Sequence, residues 1–446
     1  MNGDVQSSVS GNAQAAVTDR PMQAAPVLSR NLALAAELEE LLSVVEPASV
    51  ANILLQRAFD HGATDIHLDP TSLGTRIRFR IDGILQDILP IPAEKAAILL
   101  SRIRVMAGMD ITDRRLPRDG AIVADKFPGI ARDIRVGSSL TVKGERLVLR
   151  LMPDSENLNS LPSLGFYDDQ FAAVKRLLGA PYGLFLVVGP VGCGKSTTVY
   201  SLLSELNSPE KSLVTIEDPV ERRIPGANQI QIDNRTGLNF VTALRGTLRQ
   251  DPNVLAIGEI RDAETAEIAC RAATSGVLVF STLHANNTAS AVDVLRGFGI
   301  SSGAIADCLR GVISQRLVRK ICESSREDIV ADERARQLLR LSGTAPVQIA
   351  TGVATDSNFR TGYSGRTAVF EVMELTDPLQ DAIHRGEPSF RLRQEAIKGG
   401  MISLEESTRR KVLDKVTSIK ELEHVISDTD RSRSVRDATP RDPVNG

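Results

Sequence analysis

The run GPVGCGKST, Gly189, Pro190, Val191, Gly192, Cys193, Gly194, Lys195, Ser196 and Thr197, fits G-x-x-x-x-G-K-[ST]. Glycines at that spacing let backbone N–H groups turn toward phosphate oxygens, and a following helix adds the positive end of its dipole. Lys195 is placed to reach β- and γ-phosphates, and the Ser196 hydroxyl to join the shell of a Mg²⁺. ATP and Mg²⁺ are the expected ligands. Cys193 stands two residues before Lys195 at a helix N-terminus, in positive potential that favours a thiolate. The alternative is a small filler of ordinary reactivity.

Hydrolysis also needs a carboxylate that orients or deprotonates water. The apolar strand in NVLAIGEIRD delivers Glu259 at its C-terminal end, where ligands bind in α/β sheets. SLVTIEDPVE ends in Glu217, Asp218 and Glu221. Both clusters suit Mg²⁺ and water handling, and each could instead be a solvated strand end. VLVFSTLHANN brings His284 and Asn287 to a third strand end, just after Thr282. A lone histidine is more often structural, but this one joins a site already rich in polar groups.

The elements that must position these residues read clearly. An apolar strand, Leu184 to Val188, precedes the glycine loop, and Val199, Leu202, Leu203 and Leu206 mark an amphipathic helix after it. From about 181 short apolar strands alternate with helical segments, the pattern of an α/β domain with a mostly parallel sheet. Upstream, Leu32, Leu38, Leu41, Leu42 and Val45 are spaced for one helix face, Pro47 breaks it, and a second helix runs from Ser49 toward Gly62. TRIRFRIDGILQDIL alternates: Ile77, Phe79 and Ile81 take one face, Arg76, Arg78 and Arg80 the other, and Asp82-Gly83 makes a hairpin turn. The arginine face reads as solvated. A second hairpin at RDIRVGSSLTVKGERLVLRLM puts Arg146 and Arg150 opposite Leu147, Leu149 and Leu151. The expected division is a disordered arm over 1–30, a small α+β domain over 31–153, a linker over 154–180, the ATPase domain over 181–427 with a C-terminal helical subdomain, and a disordered tail over 428–446.

Composition narrows the partners. The 446 residues are 24% charged with a net charge of −3, which favours neither DNA nor an anionic membrane surface. The four cysteines form no C-x-x-C pair and read as reduced thiols rather than a disulfide framework. The first residues lack a signal-peptide pattern, and apolar runs fall short of the roughly 20 residues of a spanning helix. A cytoplasmic protein is expected, without nucleic acid as partner.

Together these segments resemble the type II/IV secretion ATPases, the motors of type II secretion and type IV pilus assembly. GPVGCGKSTT resembles the family's phosphate loop, TIEDPVE its aspartate box, LRQDPNVLAIGEIRDAETA its atypical Walker B segment and STLHANN its histidine box. ATDIHLDP, RIRFRIDGIL, GERLVLRLM, GYSGRTAVFEVMELTD and GMISLEE extend the similarity over roughly 45–427. The AIRNxxG-type motif of the pilus-retraction branch is missing, which points to the assembly and secretion branch.

The resemblance implies a RecA-like ATPase domain behind a small PAS-like α+β domain. It implies catalytic roles for Glu259, Glu217, Lys195 and His284, and arginines supplied to the nucleotide by the small domain: Arg135 in DIRV and Arg150 in LVLR. Arg249 and Arg261 match further arginines near the site. It implies a homohexamer that works at the inner face of the cytoplasmic membrane through an inner-membrane platform protein. Many members bind Zn²⁺ through two C-x-x-C pairs. Here Cys322 remains while Ser325, Thr355 and Asn358 replace the others, so no zinc is expected. Two other readings stay open: a nucleotide-gated assembly module that barely turns over, and a small-molecule kinase, for which no motif supplies a second substrate pocket.

Overall fold

Alternating side chains build one sheet of this chain and continuous apolar runs build the other. The computed structural model describes residues 31–44, 47–112, 115–153 and 160–434, so the expected arm over 1–30 lies outside them. The first sheet is antiparallel throughout: β1 (Ala63–Thr71), β2 (Gly74–Ile81), β3 (Ile84–Pro92), β4 (Arg118–Ile122), β5 (Ile134–Thr141) and β6 (Gly144–Leu151), in the order β3-β2-β1-β6-β5-β4. Its apolar face buries Ile77, Phe79, Ile81, Leu147 and Leu149 against helices α1 (Leu32–Val44), α2 (Pro47–Asp60) and α3 (Ala93–Met106). Asp82 and Gly83 both adopt positive φ, +50° and +84°, as a two-residue hairpin turn requires.

The opposite face corrects the expectation of a solvated arginine stripe. Arg78 pairs with Asp69 at 2.6 Å, Arg80 with Asp65 at 3.4 Å and Arg76 with Asp87 at 3.5 Å. From β6, Arg146 reaches Asp69 at 2.8 Å and Arg150 reaches Asp65 at 3.2 Å. The cause is register. β1 lies between β2 and β6, and its Asp65, His67 and Asp69 stand beside both sets of arginines. Burial works against charge on Asp69, but hydrogen bonds from Arg146 and Arg78 outweigh it and hold its carboxyl below the usual range.

The second sheet has seven strands: β7 (Gly183–Val188), β8 (Leu213–Glu217), β9 (Asn228–Gln231), β10 (Val254–Ile257), β11 (Leu278–Leu283), β12 (Leu309–Ile321) and, beyond the small hairpin of β13 (Arg326–Val330) and β14 (Gln348–Gly352), β15 (Tyr363–Glu374). Its order is β15-β12-β7-β11-β10-β8-β9. Every pair is parallel except β12 with β15. All residues of β7, β8, β10 and β11 are buried, as strands covered on both faces must be.

Two expectations at the edges change. Within the stretch read as a linker, residues 168–178 form helix α4 (Asp168–Leu178), whose Ala173, Val174 and Leu177 enter a core with β7 residues. The Pro/Ser/Asn composition just before it masked that amphipathic spacing. The last helix, Ile419–Ser434, runs past residue 427, where the tail was expected to begin, while residues 435–446 lie outside the described part. The two sheets meet at a small contact. The Asp82 carboxylate accepts from the Gly365 backbone N–H at 2.8 Å, and Phe359, 7% exposed, packs into the core of the first sheet beside His61.

Candidate functional site

Strand β7 ends at Val188 and the chain turns at Gly189. A Cβ there would come within 2.6 Å of Cys193 Sγ and 2.7 Å of the Gln315 carbonyl oxygen, so only glycine fits. Gly194, at φ +91°, is the N-cap of α5 (Lys195–Leu206), another conformation that favours glycine. Lys195 Nζ donates to the carbonyl oxygens of Gly189 and Pro190, at 2.9 and 3.1 Å, inside the loop. Burial lowers its pKa, while the nearby Glu259 carboxylate opposes that shift. Ser196 follows Lys195 in the first turn of α5 and is half-buried beside the loop. The tip of the loop, Pro190 to Cys193, opens on a cavity of about 340 Å³ roofed by the Asp82–Ile84 turn.

Cys193 departs from the thiolate reading and sits closer to the small filler. Its thiol is buried under the loop, and burial pushes its pKa up despite the charges of Lys195 and Arg316. The helix N-terminus argument loses to desolvation. Wild-type Cys193 is expected to react with iodoacetamide at least about 10-fold more slowly than glutathione at the same pH. Peptide mass spectrometry would measure this, and a comparable rate would contradict the buried thiol.

Glu259 sits one residue beyond Gly258, at the exit of β10. That segment is pinned on both sides: Gly258 N–H donates to the Ile216 carbonyl at 2.8 Å, and Thr282 Oγ1 donates to the Gly258 carbonyl at 2.8 Å. The missing side chain at Gly258 also matters, because a Cβ would stand 3.3 Å from the Ile216 carbonyl oxygen. The Glu259 carboxylate pairs with Arg261, and His284 Nε2 lies 4.0 Å from its other oxygen. The hydrogen bond to Glu259 raises the Arg261 pKa, and Asp218 adds to it. Lys195, Glu259, Arg261 and His284 thus share one end of the parallel sheet.

Glu217 lies at the end of β8 with its carboxylate held by neighbouring side chains. Its side chain is 8% exposed and accepts from Thr215 Oγ1 at 2.6 Å, Gln229 Nε2 at 3.1 Å and the Tyr200 hydroxyl. That hydroxyl also accepts the backbone N–H groups of Glu221 and Arg222, at 3.2 and 3.1 Å. Through these bonds the carboxylate ties β8 and the segment after it to the Tyr200 side chain of α5 and to Gln229 of β9. Neither Tyr200 nor Gln229 belongs to the acidic motif, so nothing local pointed to them.

Other candidates lie apart. Arg135 and Arg150 face each other across β5 and β6, Arg150 is paired with Asp65, and neither touches the phosphate loop among the described residues. Arg249 is exposed beyond the helix Phe240–Thr247 and has no ion pair among the described residues. Asn287 caps a turn, its Oδ1 accepting from Ser290 N–H at 2.9 Å. The four positions around Cys322 do come together, but through hydrogen bonds. Asn358 Nδ2 donates to Ser325 Oγ at 2.9 Å, and Asn358 Oδ1 accepts from Thr355 N–H at 2.9 Å. One thiol among amide and hydroxyl groups does not fit a tetrahedral zinc site.

A phosphate loop on a parallel sheet, with a glutamate at the same end of a strand two places away, defines a P-loop nucleotide-binding protein. A family model described as type II/IV secretion system protein matches residues 40–424. The type IV pilus assembly ATPase PilB of Myxococcus xanthus is 39% identical over 86% of this chain and 69% of its own. The type II secretion system ATPase E of Vibrio cholerae is 38% identical over 88% and 78%. Among solved structures, the pilus retraction motor PilT aligns with a TM-score of 0.60 at 24% identity, over 84% of this chain and 96% of its own. The Legionella pneumophila ATPase DotB aligns at 0.64 and 20%, over 84% and 94%. These two likenesses concern the fold. The chain belongs to the type II/IV secretion system family, and it is a secretion or pilus motor ATPase of that family. Among the described residues, no helix is long and apolar enough to cross a membrane.

Proposed function

We propose that this ATPase binds MgATP at Gly189–Thr197 and hydrolyses it with Glu259 as the residue that orients and deprotonates water. The observation that carries this reading is the placement of Glu259. It leaves the sheet on a pinned strand end, close enough for its charge to act on Lys195. Lys195 would exchange its two loop carbonyls for phosphate oxygens, and Arg261 and His284 would hold the glutamate in place. Ser196 would hold a Mg²⁺ that supplies charge neutralisation at the phosphates. Glu217 orders the segment after β8. Phosphate release from MgATP by the purified chain tests the reading, and no release above background would end it.

The seven-stranded sheet is the RecA-like motor domain in this reading, and the six-stranded sheet with its helices is the smaller PAS-like domain. The ATPase acts as a homohexamer at the cytoplasmic face of the inner membrane, against a platform protein of the secretion or pilus machine. Family membership supports this, and nucleic acid has no part in it. Arg135 and Arg150 act on the phosphates from the small domain once it closes. Arg135→Ala or Arg150→Ala is expected to lower kcat by roughly 10-fold or more, as loss of a charged transition-state contact does, with little change in melting temperature. Unchanged kcat with a lowered melting temperature would make them structural.

No zinc is held at Cys322, because the Asn358 amide nitrogen is a donor engaged with Ser325 and Val353. Elemental analysis after chelator treatment is expected to find no stoichiometric zinc. About one zinc per chain would contradict this.

A further inference from the structure

Strand β12 reads LRGVISQRLVRKI, and three adjacent polar side chains in it are deeply buried: Ser314 at 0% exposure and two long ones, Gln315 at 1% and Arg316 at 5%. Buried polar groups destabilise a fold unless their hydrogen bonds are made, so the partners of these two are informative. Gln315 follows Ser314, which pairs with Val188 at the end of β7, and so lies beside the start of the phosphate loop. Its Oε1 accepts from Thr198 Oγ1 at 2.7 Å and its Nε2 donates to the Cys193 carbonyl at 2.7 Å. One side chain therefore ties the turn of the loop to the first turn of α5.

Arg316 serves the other loop. Its Nη2 donates to the Asn286 carbonyl at 2.9 Å, two residues beyond His284, and its Nη1 donates to the Gln315 carbonyl at 3.0 Å. Among the described residues no carboxylate forms an ion pair with this guanidinium, and its Nε has no partner. The carboxylates of Asp428, Glu371 and Glu405 act on it only at a distance, and its one direct bond outside β12 among the described residues is to the Asn286 carbonyl of the histidine loop.

We propose that Gln315 and Arg316 are positioning residues that brace the phosphate loop and the histidine loop against one strand. The brace keeps Lys195 and the His284–Glu259 pair in a fixed mutual geometry. It rests on reading Gly189–Thr197 as the nucleotide loop, but its primary readout needs no nucleotide. Cys193, buried beneath the loop and held through its own carbonyl by Gln315, reports on whether the loop is braced.

The test compares wild type, Gln315→Leu and Thr198→Val, full-length and without nucleotide, by iodoacetamide labelling with peptide mass spectrometry. Gln315→Leu deletes two hydrogen bonds and Thr198→Val one. Cys193 labelling is expected to rise roughly 10-fold or more in the first and by a smaller factor in the second. Cys270 and Cys308, buried in the core of the seven-stranded sheet, should keep their wild-type rates. The KM for ATP should rise with Cys193 labelling. If Gln315→Leu does not fold, Thr198→Val alone carries the test. Unchanged Cys193 labelling would overturn the proposal, and so would equal acceleration at all three cysteines, which reports general loosening. Selective Cys193 labelling in variants of a wild type that does not bind ATP would uphold the brace and remove the nucleotide reading instead.

Discussion

Lys195→Ala is expected to reduce phosphate release by roughly 10³-fold, the scale of losing a charged donor at a transferred phosphoryl group. Lys195 is half-buried at the first position of α5, and burial already lowers its pKa. Its charge is therefore held in a poorly solvated place, where it acts on phosphate oxygens more strongly than it would in water. The fold should survive the change. Alanine has the highest helix propensity, and the two carbonyls that lose Nζ lie in a loop with access to solvent. The measurement is steady-state phosphate release with saturating MgATP, alongside a melting curve. Turnover within about 10-fold of wild type, with an unchanged melting temperature, would remove Lys195 from the site.

Glu259→Gln should separate binding from hydrolysis. Glutamine keeps the shape and can still accept from Arg261, but it cannot take a proton from water. Turnover is expected to fall by roughly 10²-fold or more while ATP affinity changes little. The variant removes one negative charge near Lys195, which favours an anionic ligand if it has any effect. Titration with a fluorescent ATP analogue and a phosphate-release assay would together decide the matter. Hydrolysis at the wild-type rate would show that Glu259 is not the base. Loss of binding together with turnover would instead make it a structural member of the loop cluster.

The parts of this architecture that could be read from the sequence were those carried by local patterning. The strand of Leu184–Val188, its glycine turn and the helix with Val199 and Leu203 required only neighbours along the chain. The same holds for the Asp82-Gly83 hairpin, whose alternation and turn residues agree. What could not be read depended on which strand lies beside which. Arg78 and Arg80 of β2 looked solvated because their partners Asp69 and Asp65 belong to β1, and Arg146 joins them from 77 residues beyond Asp69. Glu217 stood out because its motif is acidic, while its hydrogen bonds from Tyr200 and Gln229 are visible only in space. Gln315-Arg316 had one usable signal, a run of three polar residues with Ser314 inside an apolar strand that must be covered on both faces. That pattern demands partners.

Phe359 gives the chain a mechanical property. It belongs to the segment between β14 and β15, yet its ring sits in the core of the six-stranded sheet, edge-on to His61 at 5.6 Å. It behaves as a ball in a socket carried by the other body. A small rotation can roll about it, whereas a large separation must draw the ring into water at a cost of about 2 kcal/mol. Parting the two bodies would also break the Asp82–Gly365 hydrogen bond, so the aromatic anchor and the Asp82-Gly83 turn hold the same joint.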